Sequence, residues 1–273
     1  MRDTAAPLAG AALLYQHLRP PGTLAQVTFY ASRITHYASR FTFHVSRFTF
    51  HASRHEVSMR TIIFANGQFP DARGARDLLR PDDLVIAADG GTHHALAAGV
   101  IPHVVIGDLD SISPGERARV EAAGARVLRH SPRKDETDLE LALLHAVRAG
   151  ATEIVVLAAL GGRLDQTIAN LLLLALPELS GLDVRVVEGS QMAFLIREGD
   201  DAARVAGRPG DTVSLIPLGG DAGGVTAEGL EWPLHEDTLR FGPARGVSNV
   251  LTADQARVRV RQGLLLCVIT RRE

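Results

Sequence analysis

Val104-Val105-Ile106-Gly107-Asp108-Leu109-Asp110-Ser111 is apolar until it ends in two carboxylates one residue apart. In an extended backbone, side chains at i and i+2 share a face, so Asp108 and Asp110 point together at the end of a strand. Two like charges held that close favour a cation between them. A second apolar run, Leu84-Val85-Ile86-Ala87-Ala88, ends in Asp89 and the turn pair Gly90-Gly91. If both runs are parallel strands of one sheet, the three carboxylates meet at its carboxyl edge, where open α/β sheets bind ligands. That is the outline of a Mg2+-nucleotide site.

The chain around these runs alternates strand and helix from Met59 onward. Strand patterns fall at 61–65, 84–88, 104–106, 126–128 and 154–158, with helical patterns at 72–79, 92–98, 114–123, 137–149 and 167–176. Continuous apolar strands imply burial on both faces, as in a doubly wound parallel sheet covered by helices. After Leu182 the texture changes to short runs at 183–187, 192–196, 212–216, 225–227, 238–241, 257–261 and 264–270, separated by Gly, Pro and Asp turns. Val258 and Val260 alternate with Arg257, Arg259 and Arg261, the pattern of an antiparallel strand with one wet face. The expected organisation is an α/β catalytic domain over 59–190 followed by a small all-β, sandwich-like domain over 191–273.

Residues 1–58 are sequence of another kind. From Ala31 the motif Ala/Val-Ser-Arg recurs every seven residues, ending at Arg33, Arg40, Arg47 and Arg54. All three tyrosines and five of the nine phenylalanines lie in this segment, which departs from the seam of a coiled coil. It reads as a low-complexity extension, disordered or upstream of a true start at Met59. Without its six arginines and two acids, the remainder carries 23 basic and 29 acidic residues. Such an acidic body is a poor tracker of nucleic-acid backbones. No apolar stretch reaches the roughly 18 residues of a membrane span. The single cysteine, Cys267, lies in an apolar run and reads as a buried core thiol, which fits a reducing cytoplasm. His93-His94 are adjacent on a predicted helix, diverge by about 100° and do not form a zinc pair.

Two further segments carry phosphate chemistry. In Lys134-Asp135-Glu136-Thr137-Asp138-Leu139-Glu140, Thr137 and Glu140 have capping-box spacing, and Asp138 falls in the first helical turn. Lys134, just before the helix and near the acids, suits phosphate oxygens. Gly161-Gly162-Arg163-Leu164-Asp165-Gln166 runs from a strand through a glycine pair toward a helix. Its backbone N–H groups can approach phosphates and Arg163 offers a bidentate fork, although the turn matches no Walker or dinucleotide fingerprint.

Ala88-Asp89-Gly90-Gly91, Gly107 to Ser111, Lys134 to Asp138 and Gly161 to Gln166, in this order and spacing, resemble the thiamine pyrophosphokinase family. The resemblance runs from about Met59 to the C-terminus. It implies transfer of the terminal diphosphate of ATP to the hydroxyl of thiamine, giving thiamine diphosphate and AMP. It also implies a homodimer whose thiamine site lies between the α/β part of one chain and the β part of the other. By motif, Asp89, Asp108, Asp110 and Asp138 form the Mg2+ site. Lys134, Thr137, Gly162, Arg163, Asp165 and Gln166 line the ATP path. Asp108, Asp110 and Lys134 are the candidate catalytic groups, and whether an aspartate serves as metal ligand or base stays open. In the β part, the segments around Trp232 and around Ser248-Asn249 resemble family segments near thiamine, with Trp232 as an aromatic face for a cationic heterocycle. The resemblance leads one to expect an acid after Ser248-Asn249, where this chain has Val250. Two alternatives remain at this stage: a diphosphokinase acting on another alcohol such as a hydroxymethylpterin, and a non-catalytic sensor of thiamine or nucleotide.

Overall fold

The computed structural model describes residues 59–272, and the expectations for the extension over 1–58 lie outside the described residues. The chain begins with β1 (Arg60–Phe64), α1 (Ala72–Asp77), β2 (Leu84–Ala88), α2 (Gly91–Ala97) and β3 (Val104–Gly107). It continues through α3 (Pro114–Ala122), β4 (Arg126–Arg129), α4 (Asp138–Arg148), β5 (Glu153–Leu157) and α5 (Leu164–Leu172). Two short 3-10 turns, Leu173–Ala175 and Pro177–Leu179, lead to β6 (Asp183–Glu188) and β7 (Gln191–Arg197). The remaining strands are β8 (Ala203–Ala206), β9 (Thr212–Pro217), β10 (Ala222–Glu228), β11 (Leu234–Leu239), β12 (Asn249–Val250), β13 (Gln255–Arg259) and β14 (Leu264–Thr270).

Strands β6-β5-β1-β2-β3-β4 pair in parallel, and the chain reverses its direction of winding between β1 and β5. Ligand crevices form at the carboxyl ends of strands at such a switch point. The two loops there are tied together, since the Gly67 N–H donates to the Ala158 carbonyl at 2.7 Å and the Gln68 N–H to the Leu160 carbonyl at 2.8 Å. α1 and α2 bury Ala75, Ala95 and Ala98 against one face of β1, β2 and β5. α4 covers the other face with Leu139, Leu141, Ala142, Leu143 and Ala146. Each fully buried leucine contributes roughly 1.5–3 kcal/mol, enough to fix the start of α4 at the sheet edge.

The sheet does not stop at the α/β part. β7 pairs antiparallel with β6, and β14, β9 and β12 follow, so one ten-stranded sheet crosses position 190. The edge of β6 is thereby paired rather than left open, which removes an aggregation-prone row of free backbone groups. A separate four-stranded sheet, β11-β10-β13-β8, closes over the antiparallel part of the long sheet. Val205, Val225, Leu239 and Val258 meet Ile196, Leu215, Leu265 and Cys267 in one core, the sandwich that the alternating pattern implied.

Several boundaries differ from the sequence expectation for local reasons. The α5 helix starts at Leu164 rather than Thr167, because the Thr167 hydroxyl donates back to the Arg163 carbonyl at 3.1 Å instead of capping. β5 ends at Leu157, since Ala158 takes a left-handed φ of 55°. β8 buries only Val205 fully and β12 has two residues, so neither offers a readable alternation. β11 spans 234–239 rather than 238–241; His235, Glu236 and Thr238 are exposed and only its end residues Leu234 and Leu239 are buried, so most of the strand carries no apolar signal.

Candidate active site

Three carboxylates converge at the carboxyl ends of β2 and β3. Oxygens of Asp89, Asp108 and Asp110 lie within 4.8 Å of one another. The Asp89 N–H donates to the Ile106 carbonyl at 2.9 Å, which pins the two strand ends together. Gly107 makes the approach feasible: its φ is 152°, and a Cβ there would stand 2.9 Å from Asp89 Cβ and 3.1 Å from Asp138 Cγ. Asp89 and Leu109 also hold left-handed φ values of 45° and 70°. Non-glycine residues in that region cost about 1–3 kcal/mol each and persist where the surroundings impose them, commonly at ligand sites.

The electrostatics are those of a cation site. Asp89 is buried, its Oδ1 has no hydrogen-bond partner among the described residues, and burial pushes its carboxyl above the usual range. The Asp138 and Asp110 charges push the same way, while the Ser111 hydroxyl and the Gly90 N–H oppose them. A divalent cation would satisfy the orphaned oxygen and relieve the repulsion, and hard Mg2+ prefers carboxylate oxygens and water. The donor set fits it. Asp138 stands beside this cluster in another arrangement: its Oδ1 is 2.9 Å from Lys134 Nζ, which is also 3.8 Å from Asp108 Oδ2. Lys134 therefore bridges the acids of two segments.

Thr137 caps α4, its Oγ1 accepting from the Glu140 N–H at 3.2 Å. Gly161 and Gly162 turn with φ values of 78° and 70°, leaving Gly162 and Arg163 exposed. Arg163 Nε donates to Asp165 Oδ1 at 3.1 Å, and Gln166 lies partly exposed in the first turn of α5. In the β part, Trp232 presents a 57% exposed side chain. Its backbone is clamped by Asn249, whose Oδ1 accepts from the Trp232 N–H at 3.1 Å and whose Nδ2 donates to the Trp232 carbonyl at 2.7 Å. Ser248 is exposed, at a φ of 63°, with its N–H donated to Ser214 Oγ at 3.1 Å. The structure thus gives Asn249 a positioning contact with Trp232 that spacing did not reveal.

Sequence reasoning missed Ser111 and Gln68. Ser111 donates to Asp110 Oδ1 at 2.9 Å. Gln68 Oε1 lies 2.6 Å from where a Cβ on Gly161 would be, so its side chain packs directly on the glycine turn. The only sequence signal for the latter was Asn66-Gly67, read as a turn. The histidines part ways: His93 Nδ1 lies 3.3 Å from Glu116, and His94 Nε2 lies 3.0 Å from the Gly67 carbonyl.

This geometry has close relatives. Residues 75–186 match the family described as thiamin pyrophosphokinase, catalytic domain, and residues 201–265 match its vitamin B1 binding domain. The thiamine pyrophosphokinase of Bacillus subtilis is 30% identical over 215 residues, spanning 77% of this chain and 98% of that protein. The chain belongs to the thiamine pyrophosphokinase family. A crystal structure of the Bacillus subtilis enzyme aligns with a TM-score of 0.69 at 27% identity, over 79% of this chain and all of that one. The yeast thiamin pyrophosphokinase, at 16% identity, shares the fold with a TM-score of 0.65 over 80% of this chain and 87% of its own. The family's two described parts fall on either side of the turn between β6 and β7, and all four acids and Lys134 lie within the catalytic match.

Proposed function

We propose that the chain transfers the β,γ-diphosphate of ATP to the hydroxyl of thiamine, forming thiamine diphosphate and AMP. The observation that carries this reading is the convergence of Asp89, Asp108 and Asp110 within 4.8 Å, beside Lys134, at the edge of a nucleotide-type sheet. Asp89, Asp108 and Asp110 would hold Mg2+, with Asp138 beside them. When bound, Mg2+ would supply charge neutralisation on phosphoryl oxygens.

The chain's own residues do the rest. Lys134 is held by Asp138 and Asp108 and offers its remaining N–H donors to phosphate oxygens, where charge develops in the transition state. Arg163 is exposed and, among the described residues, paired only to Asp165 in the same turn, an arrangement that solvent weakens, so its fork can exchange to phosphate at little cost. The Gly161-Gly162 turn and Gln166 line that path, and Thr137 holds the start of α4 against it. A carboxylate of the Asp108/Asp110 pair is the nearest candidate acceptor for the thiamine proton. Trp232 offers its ring to the cationic thiazolium, Ser248 offers a hydroxyl to the aminopyrimidine, and Asn249 fixes the Trp232 backbone.

The acceptor is read by the β part, and the match of residues 201–265 to a vitamin B1 binding domain favours thiamine over a pterin alcohol. We further read the working unit as a homodimer. Leu164, Ile168 and Leu172 recur every fourth residue on α5 and are 74%, 51% and 51% exposed, an apolar stripe that a second copy would cover. Trp232, Phe241 and Val247 are likewise exposed in the β part. No described helix is long and apolar enough to cross a membrane. The free, buried Cys267 thiol suits the cytoplasm. An acceptor screen with ATP and Mg2+ tests the reading: thiamine should support AMP release and a hydroxymethylpterin should not. Turnover confined to the pterin would overturn it.

A further inference from the structure

Strands β6 and β7 separate within the ten-stranded sheet. Their ladder joins only Val186 with Ala193, Val187 with Met192 and Glu188 with Gln191, although β6 begins at Asp183 and β7 runs on to Arg197. Continued by the same register, Arg185 would face Phe194 and Val184 would face Leu195. These four residues instead line a cleft of about 400 Å3, within the range of small-molecule sites. Leu174 and Leu179, from the two 3-10 turns, add to its apolar wall.

The cleft stands apart from the transfer chemistry. Asp183 pairs with Glu153 at the start of β5, so the gap opens at the amino edge of the parallel strands, whereas Asp89, Asp108 and Asp110 follow the carboxyl ends of β2 and β3. Its charges point to the missing occupant. Three arginines line it against two aspartates. Asp183 is engaged by Arg185, and Asp200 accepts the backbone N–H of Arg197 at 3.0 Å. Arg197 Nη2 donates to the Leu174 carbonyl at 2.7 Å, and Arg204 donates from Nε and Nη2 to Gln255 Oε1 at 3.1 and 2.7 Å. Both guanidiniums are thus held by neutral oxygens, with no carboxylate partner among the described residues. Each keeps further N–H donors, in a planar fork that matches a carboxylate.

We infer that the cleft between β6 and β7 binds a small organic acid with an apolar body, its carboxylate on Arg197 and Arg204 and its body against Leu174, Leu179 and Phe194. The site is separate from the diphosphokinase reading and does not depend on it. Its ligand is neither substrate nor product of the transfer, since no residue placed in that chemistry lines the cleft.

Calorimetry with 2-naphthoate on the full chain tests the assignment. The wild type should bind it saturably, and Arg197→Gln and Arg204→Gln should each weaken binding by about tenfold, as expected for a hydrogen bond to a charged group. Arg204 is exposed, so its variant changes charge without disturbing the core. Ala203→Phe, which fills the cleft from β8 and leaves the charge unchanged, should abolish binding. The neutral naphthalene-2-methanol should bind at least tenfold more weakly than the acid, and inorganic phosphate, which has no apolar body, should not displace it. Saturating ATP with Mg2+, or thiamine, should leave the affinity for 2-naphthoate unaltered. No saturable binding to the wild type, affinity unchanged in both arginine variants, equal binding of the neutral alcohol, or displacement by ATP would each overturn the inference.

Discussion

Lys134 Nζ and Asp138 Oδ1 stand 2.9 Å apart across the N-cap of α4, one turn before the apolar face that locks that helix to the sheet. The pair ties a lysine of the β4–α4 loop to the first turn of α4, beside Asp108. Asp138 therefore serves Lys134 as well as the acid cluster, a division of roles that motif matching alone did not separate.

Lys134→Met should lower kcat by about 10²–10³-fold, the usual scale for losing one donor to developing phosphoryl charge. Titration of Mg2+ by calorimetry should still show binding, because Asp89, Asp108 and Asp110 remain. Turnover close to wild type would remove Lys134 from the chemistry.

Asp108→Asn and Asp110→Asn should fold and lose most of their turnover. Asp89→Asn differs in a measurable way. It removes a buried charge whose oxygen has no partner among the described residues, so thermal unfolding without Mg2+ should move up by about 2–4 °C for each kcal/mol of repulsion relieved. Added Mg2+ should then stabilise the wild type and leave this variant unmoved. A lower Tm for Asp89→Asn in metal-free buffer would contradict the account.

The Glu188 carboxyl provides a pH test. Its folded pKa of about 7 lies above the ordinary value, so between the two the folded state keeps a proton that the unfolded state has lost. Folding stability from this group is thus fully present below the ordinary carboxyl pKa and is lost as pH rises toward 7. Glu188→Gln does not titrate, so its Tm should gain on the wild type from pH 4.5 to about 7 and the gap should then level off. A gap that shrinks over that window would count against the burial of Glu188.

In the β part, Trp232→Ala should raise the thiamine KM by about tenfold, the worth of a partly desolvated cation–π contact, and leave the ATP KM unchanged. Asn249→Ala should raise the same KM by freeing the Trp232 backbone, and also lower Tm. An unchanged thiamine KM in both variants would move the substrate elsewhere.

Ile168→Glu puts a charge in the α5 stripe. Sedimentation should show a dimeric wild type and a largely monomeric variant with reduced turnover and intact Mg2+ binding. A monomeric wild type with full activity would remove the shared site.

Much of this was legible in the chain because strand ends carry their chemistry in short, ordered segments. Asp89, Asp108 and Asp110 each follow an apolar run, and parallel pairing brings them together with no further information. The capping residue Thr137 likewise announced the start of α4. What escaped depends on tertiary placement. Asn249 reads from the sequence only as a candidate ligand contact, because nothing in its neighbours says that its side chain also clamps the Trp232 backbone. Glu188 ends a strand as an ordinary polar residue, and only the pairing of β6 with β5 buries its carboxyl beside Leu160. The ten-stranded sheet was hidden for a similar reason: alternation marks a strand, but not the neighbour to which its edge is bonded.

The central claim is the transfer of a diphosphate in one step, and the fate of labelled phosphorus tests it. With ATP labelled separately at the β and γ positions, thiamine and Mg2+, both labels should appear in thiamine diphosphate and the nucleotide product should be unlabelled AMP. Labelled ADP as the nucleotide product, with only the γ label on thiamine, would contradict the account.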